Sequence, residues 1–280
     1  MLRLNSLFAA AALTLCCVPA AAEEEARPEV ALMGTVPIFW GEADGFAELL
    51  SGDAPSHWAR GVLEEGFDLA PLDYLSADAL KGHKYLLMAQ PRGLTGEENV
   101  ALDAWVRDGG SLLLFADPRM TGESRFHIGD RRRPQDVALL SPILAHWGLE
   151  LAFDPAQQAG PHTVNHFGDA IPVNLRGELR PVGDAQYCTT SADGLLAHCA
   201  IGAGQVMIVA DAAMLDIFDR TDAGESALRW LVAHIFEEFG DRAGNDVPAT
   251  HEATENQRDS VESPESEHHH HHLHGGNHSQ

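Results

Sequence analysis

The chain has 280 residues, and its 42 acidic against 18 basic residues give a formal net charge of −24 at pH 7. That balance excludes the basic face with which a nucleic-acid-binding protein meets phosphate. Hydrophobic residues make up 45% of the chain, enough to bury a core. Beyond the N-terminus, however, no stretch approaches the roughly 20 apolar residues of a membrane helix.

The first element is a targeting segment. Arg3 supplies a positive start, Leu7 to Val18 an apolar run, and Ala20-Ala21-Ala22 a small-residue cleavage site followed at once by Glu23. This pattern predicts a secretory signal peptide over residues 1–22, cut after Ala22, and a periplasmic or secreted mature chain. A lipoprotein reading at Cys16 or Cys17 is disfavoured, because Leu15 or Cys16 stands where a small residue is wanted.

The folded part is expected over 23–240. Glu29 to Met33 reads as a first strand, and Ile38-Phe39-Trp40 extends its apolar character past Pro37. A helix is expected from Ser56, as N-cap, to Glu65. Tyr85 to Ala89 is a continuous apolar run, as in a strand buried on both faces. Thr95-Gly96-Glu97-Glu98 fits a capping box, in which hydroxyl and carboxylate satisfy each other's backbone N–H groups. Ala101, Leu102, Trp105 and Val106 then share one helical face, and Gly109-Gly110 ends the helix. Leu112 to Ala116 is the next buried strand, so strand, helix and strand with short links imply a parallel crossover.

Leu139 to Trp147 reads as a helix and Leu149 to Phe153 as a strand. His162 to Val164 and Ile171 to Leu175 suggest a smaller β region. Asp193-Gly194 is a two-residue hairpin turn, and pairing about it sets Cys188 opposite Cys199. In an oxidising compartment that opposition favours a disulfide over two free buried thiols. Gln205 to Ala210 is a further buried strand ending in Asp211. Ala227, Leu228, Leu231, Val232, Ile235 and Phe236 mark a last amphipathic helix.

Residues 241–280 form an acidic tail with no aromatic residue, too polar to offset its ordering entropy and expected to be disordered. It carries His268, His269, His270, His271, His272, His274 and His278. Neutral imidazoles bind Zn²⁺ or another divalent transition metal, here loosely, since fixed ligand spacing is lacking. The plainer reading is an expression tag, but a five-His run broken by Leu273, in a chain that keeps its signal peptide, fits a native tail better.

Two stretches resemble a known family. Gln90 to Pro118 carries Pro91-Arg92, Leu94-Thr95, Glu97-Glu98, Gly109-Gly110 and Asp117-Pro118 around its strand–helix–strand core. It is similar to the periplasmic domain of gliding-motility G-type proteins and of ABC-type transport auxiliary proteins. Gly202 to Asp216 resembles the closing strand of the same fold, and Ser124 to Leu151, with Gly129 to Asp136, an insertion in it. The resemblance covers about residues 29–239. It implies an α/β fold of the amidotransferase or flavodoxin kind: a mostly parallel open sheet flanked by helices, with a small antiparallel hairpin region. It also implies the membrane subunits of an ABC transporter as partners, and a small ligand.

The fold is allied to class I glutamine amidotransferases, whose nucleophilic Cys sits on a sharp strand-to-helix turn. Here the comparable strands end in Gln90, Asp117 and Asp211, and the sequence contains no Gly-x-Ser-x-Gly. Catalysis is therefore not expected, and the degenerate hydrolase is kept as an alternative, as is metal buffering by the tail. Ligands of open α/β sheets bind beyond the carboxyl ends of the strands. Thr35, Gln90, Arg92, Asp117, Arg119 and Asp211 could line such a crevice, with the two Arg holding a carboxylate or phosphate. The competing reading is that Asp117 and Asp211 cap turns. His162 and His166, four apart on a strand, lie roughly 13 Å from each other, too far for one metal. Arg131-Arg132-Arg133 reads as a solvated loop paired with Asp130 and Asp136, with docking of an acidic partner left open.

Overall fold

The computed structural model describes residues 27–237, apart from positions 44, 46, 47, 49, 50, 52–55, 167, 184–186 and 217–219. The signal peptide expected over 1–22, Cys16, Cys17, and the whole tail with His268–His272, His274 and His278 lie outside the described residues.

The framework is a seven-stranded sheet. Its parallel part comprises β1 (Glu29–Gly34), β2 (Asp68–Pro71), β3 (Tyr85–Ala89), β4 (Ser111–Phe115) and β11 (Gly204–Val209), and the antiparallel pair β9 (Cys188–Ser191) and β10 (Leu196–Ile201) completes it. The order is β2-β1-β3-β4-β11-β10-β9. Strands β2 to β11 in that order are parallel to their neighbours, and β10 returns antiparallel to both β11 and β9. Two small antiparallel sheets stand apart, one pairing β5 (Leu149–Phe153) with β8 (Gly177–Pro181), the other β6 (His162–His166) with β7 (Asp169–Val173). The α/β class with a mostly parallel sheet is thus what the apolar runs implied.

Successive residues of the central strands enter opposite faces, so each strand feeds two cores. Leu87, Leu113, Phe115, Met207 and Val209 pack with α1 (Trp58–Glu64), α6 (Asp222–Val232) and the π-helical turn Ala233–Glu237. Leu86, Met88, Leu112, Leu114, Val206 and Ile208 pack with α3 (Gly96–Arg107), α4 (Ser141–His146) and the short α2 (Ala77–Leu80). Helices cover both faces, which is why these strands are apolar at every position rather than at alternate ones.

The capping box at Thr95 is formed as expected. Thr95 Oγ1 accepts from Glu98 N at 3.2 Å, and Glu98 Oε2 accepts from Thr95 N at 2.9 Å. Other boundaries differ. The N-cap of α1 is His57 rather than Ser56: its Nδ1 accepts from Ala59 N at 3.1 Å, and its Nε2–H donates to Leu215 O at 2.8 Å. Residues 38–40 do not prolong β1, because Gly41 N bonds Pro37 O at 2.9 Å and closes a turn there. Strand β2, helix α2 and strand β8 had no counterpart in the sequence reading.

Cys188 and Cys199 are paired across the β9–β10 ladder and joined by a disulfide, with their Cα atoms 3.9 Å apart. The connection is longer than two residues. Ladder pairing ends at Ser191 and Leu196, and Ala192 joins Asp193 and Gly194 at positive φ. The register is unchanged, because the longer loop is centred on the same Asp193-Gly194 pair.

Gly34 ends β1 where it runs against β3. A Cβ there would lie 2.1 Å from Ala89 O, and that atom belongs to a central strand that cannot yield. Gly61, on the exposed side of α1, would place its Cβ in open space. Gly34→Ala is therefore expected to destabilise by about 2 kcal/mol or more through backbone displacement. Gly61→Ala is expected to stabilise by about 0.5–1 kcal/mol through helix propensity. Urea unfolding of the two variants checks both signs.

Candidate functional site

The parallel strands run out into loops whose backbone N–H groups lie inside the protein and need acceptors. The side chains at the strand ends supply them. Gln90, following β3, is buried at φ 47 and ties two strand ends together. Its Oε1 accepts from Asp117 N at 2.8 Å, and its Nε2 donates to Asp117 O and to Gln135 O, both at 3.0 Å. Asp117, beyond β4, accepts from Arg119 N at 2.7 Å through Oδ1 and from Ala212 N at 3.0 Å through Oδ2. Asp211, beyond β11, accepts from Ala213 N at 2.6 Å and Asn174 N at 3.0 Å. Thr35, after β1, donates to Gln90 O at 2.5 Å and accepts from Gln135 N at 2.9 Å.

A fifth member, Asp216, is not announced by the sequence. Asp216 ends α5 (Ala213–Asp216) and accepts through Oδ2 from Thr121 N at 3.1 Å and Thr121 Oγ1 at 3.2 Å. Its sequence gave no hint, because the partner lies 95 residues away. Asp216 and Glu42 both line a cavity of about 20 Å³, room for about one water molecule. Glu42 is itself buried, accepting from Ser124 Oγ at 2.6 Å and Arg125 N at 3.1 Å, so it pins the segment that roofs the strand ends.

Burial pushes the Asp117 carboxyl up to about 7, against the pull of the Ala212 and Arg119 N–H groups and with help from the Asp216 charge. Burial raises Asp211 as well, reinforced by the neighbouring Asp117 charge. Asp216 rises to about 6 by burial, against the Thr121 bonds.

The sequence-derived set is thus brought to one edge of the sheet, but not as a lined crevice. Gln90, Asp117 and Asp211 are inside, with their side-chain atoms on backbone groups. Arg92 turns to the buried Glu98, with contacts of 2.8 and 2.7 Å, and donates to Asp73 O at 2.8 Å. Burial raises the Glu98 carboxyl, but Arg92 and the N–H groups of Thr95 and Leu75 outweigh it and bring it to about 2. Arg119 is exposed. His162 and His166 both lie on β6, and no group of three His, Cys, Asp or Glu among the described residues is placed to hold a metal ion. Asp130 pairs with Arg132 at 2.7 Å and Asp136 with Arg133 at 3.2 Å, as the charge pattern suggested.

Beside this sealed cluster lies an open groove of about 640 Å³ at the carboxyl ends of β1 and β2. Its walls include Thr35, Phe39, Trp40, Asp73, Phe126, Arg131 and Arg132. The available signal was Phe39-Trp40-Gly41, an aromatic pair in the loop directly after the first strand.

No family model matches the chain, and no curated protein does. Solved structures that overlap it include the exo-beta-1,4-mannosidase Op5Man5 from Opitutaceae bacterium strain TAV5, at 15% identity over 75% of this chain and 36% of that one, with a TM-score of 0.45. Another is the mmIFT52 N-terminal domain, at 13% identity over 73% of this chain and 95% of that one, with a TM-score of 0.46. A third is the Cytoplasmic Protein STM3548 from Salmonella typhimurium, at 12% identity over 75% and 98%, with a TM-score of 0.40. The chain spans about a third of the mannosidase's length. Overlap this loose assigns the chain neither an activity nor a partner.

A carboxyl whose folded value is raised contributes stability at low pH and loses it as pH climbs through that value. For Asp216 the window runs from 3.8 to about 6. The lowered, buried His57 acts in the opposite sense in an overlapping range, so the informative quantity is a difference between proteins. In Asp216→Asn an amide oxygen keeps the Thr121 bonds while the titration is removed. Relative to the wild type, the variant is expected to gain stability from pH 4 to about pH 6 and to level off above that. Urea midpoints at half-unit pH steps check this, and a pH-independent difference would contradict it.

Proposed function

We propose that this chain is a non-catalytic binding or accessory protein of the periplasm, working with the membrane subunits of an ABC-type transport system. One observation carries the non-catalytic part. Gln90, Asp117 and Asp211 occupy the strand ends where α/β enzymes hold reacting groups, and their polar atoms are engaged by backbone of the surrounding loops. The groove beside them is open to a ligand. An amidotransferase-like or flavodoxin-like assignment of the sheet belongs to the same proposal. The order β2-β1-β3-β4-β11 supports it, since it changes direction at β1 as doubly wound sheets do at their ligand crevice. The transport association and the periplasmic location rest on the sequence resemblance and the N-terminal pattern. No helix among the described residues is long and apolar enough to cross a membrane.

Affinity capture with the mature protein as bait, from detergent-solubilised membranes of its source, tests the accessory role. Recovery of a permease and an ATPase is the expected result. Asp117→Ala tests the non-catalytic part. It removes the acceptor of the Ala212 and Arg119 N–H groups and is expected to cost about 1–3 kcal/mol in urea unfolding. It should abolish no hydrolysis of acyl or amide reporters. Turnover in the wild type that vanishes in this variant would contradict the reading.

A further inference from the structure

The open groove is built rather than incidental. Trp40 is 57% exposed at its rim, yet its setting is fixed. Its ring stands edge-on to Phe39 at 4.7 Å between centroids. The Arg60 guanidinium lies 4.6 Å over the Phe39 ring and donates to Phe39 O at 2.8 Å. The turn that presents both rings is closed by Gly41, at φ 66. A large aromatic face is thus held toward solvent by a braced loop, at the carboxyl end of β1 where the strand order reverses.

The charged side of the groove comes from the 126–133 segment. Arg132 lies 4.1 Å over the buried Phe126 and is held by Asp130 through Nη2–Oδ2 at 2.7 Å. Arg131 is exposed beside it, on the same lining. Asp73, from the segment after β2, is the carboxylate among the lining residues, and Arg92 fixes its backbone. Two guanidiniums thus line an apolar trough of Leu32, Val36, Pro71 and Leu72, with Arg132 already paired to Asp130. The volume, about 640 Å³, falls in the range of small-molecule sites, and so does the mix of apolar walls with few polar groups.

We propose that this groove binds a small ring-bearing carboxylate, its ring stacked on Trp40 and its carboxylate turned to Arg131. The assignment rests on the binding-protein reading above and names its ligand class. Stacking on the indole uses the flat apolar face of the ligand. The guanidinium supplies a charge-assisted hydrogen bond, and repulsion from Asp73 sets the ligand's direction.

The test is titration calorimetry of the full mature protein with 2-naphthoate and with its neutral isostere 2-naphthamide. Trp40→Ala should weaken naphthoate by about tenfold or more. Arg131→Gln should weaken naphthoate by about tenfold and leave naphthamide unchanged. Both residues are exposed, and unchanged melting of the variants confirms their fold. Absent naphthoate binding, binding indifferent to Trp40→Ala, or equal affinity for the amide each overturns the assignment. Those results leave the accessory reading standing wherever the membrane capture recovers its permease. Trp40-dependent naphthoate binding with a failed capture rejects that reading and keeps this one.

Discussion

Buried backbone at the carboxyl edge of the sheet needs hydrogen-bond partners, and meeting that need shapes the rest of the molecule. Four parallel strands end in loops that turn under a roof formed by residues 118–138. Each loop brings N–H groups into a dry region, and leaving such a group unpaired costs about 1–3 kcal/mol. Asp117 and Asp211 each satisfy two of them. Gln90 joins the ends of β3 and β4 by exchanging both of its amide functions with the backbone of Asp117. Thr35 closes the row by linking β1, Gln90 and the roof.

That arrangement brings carboxyl groups together in a low-dielectric place, and burial raises all three. Raised carboxyls in a cleft often mark an active site, but structural networks perturb them as well. Here the oxygens of Asp117 and Asp211 are occupied by neighbouring backbone. The groove beside them has the opposite character: an exposed indole, guanidiniums and apolar walls around an open volume. Rigid ties on one side of β1 and an accessible trough on the other divide the work of the sheet edge.

Much of the fold was legible where the signal is local. The apolar runs of β3, β4 and β11, the Thr95 capping box and the Cys188–Cys199 register all follow from residues close in sequence. Strand β2 was not legible, because Asp68-Leu69-Ala70-Pro71 is short and ends in a proline tolerated only at an edge. Strand β8, Gly-Glu-Leu-Arg-Pro, has Leu179 between two charged residues and so offers no apolar run. The sequence does not announce His57 as a cap, because imidazole is not a usual one and its second bond, to Leu215 O, spans 158 residues. The strand-end rule located Gln90, Asp117 and Asp211, but their partners are long-range. So is the placement of Trp40 and Arg131 along one groove, which no spacing in the chain announces. Arg92 looked like a ligand anchor in sequence. The structure gives it to Glu98, six residues along the same motif.

The central claim is that strand-end carboxyls act as structural acceptors for loop backbone. Native-state amide hydrogen exchange reads it directly at the N–H groups of Ala212, Ala213 and Asn174, none of which is bonded within a helix or strand ladder. If Asp117 and Asp211 hold them as described, all three should exchange only through global unfolding, with the same protection as the amides of β4. Exchange at the rate of an open loop, while β4 stays protected, would contradict the account.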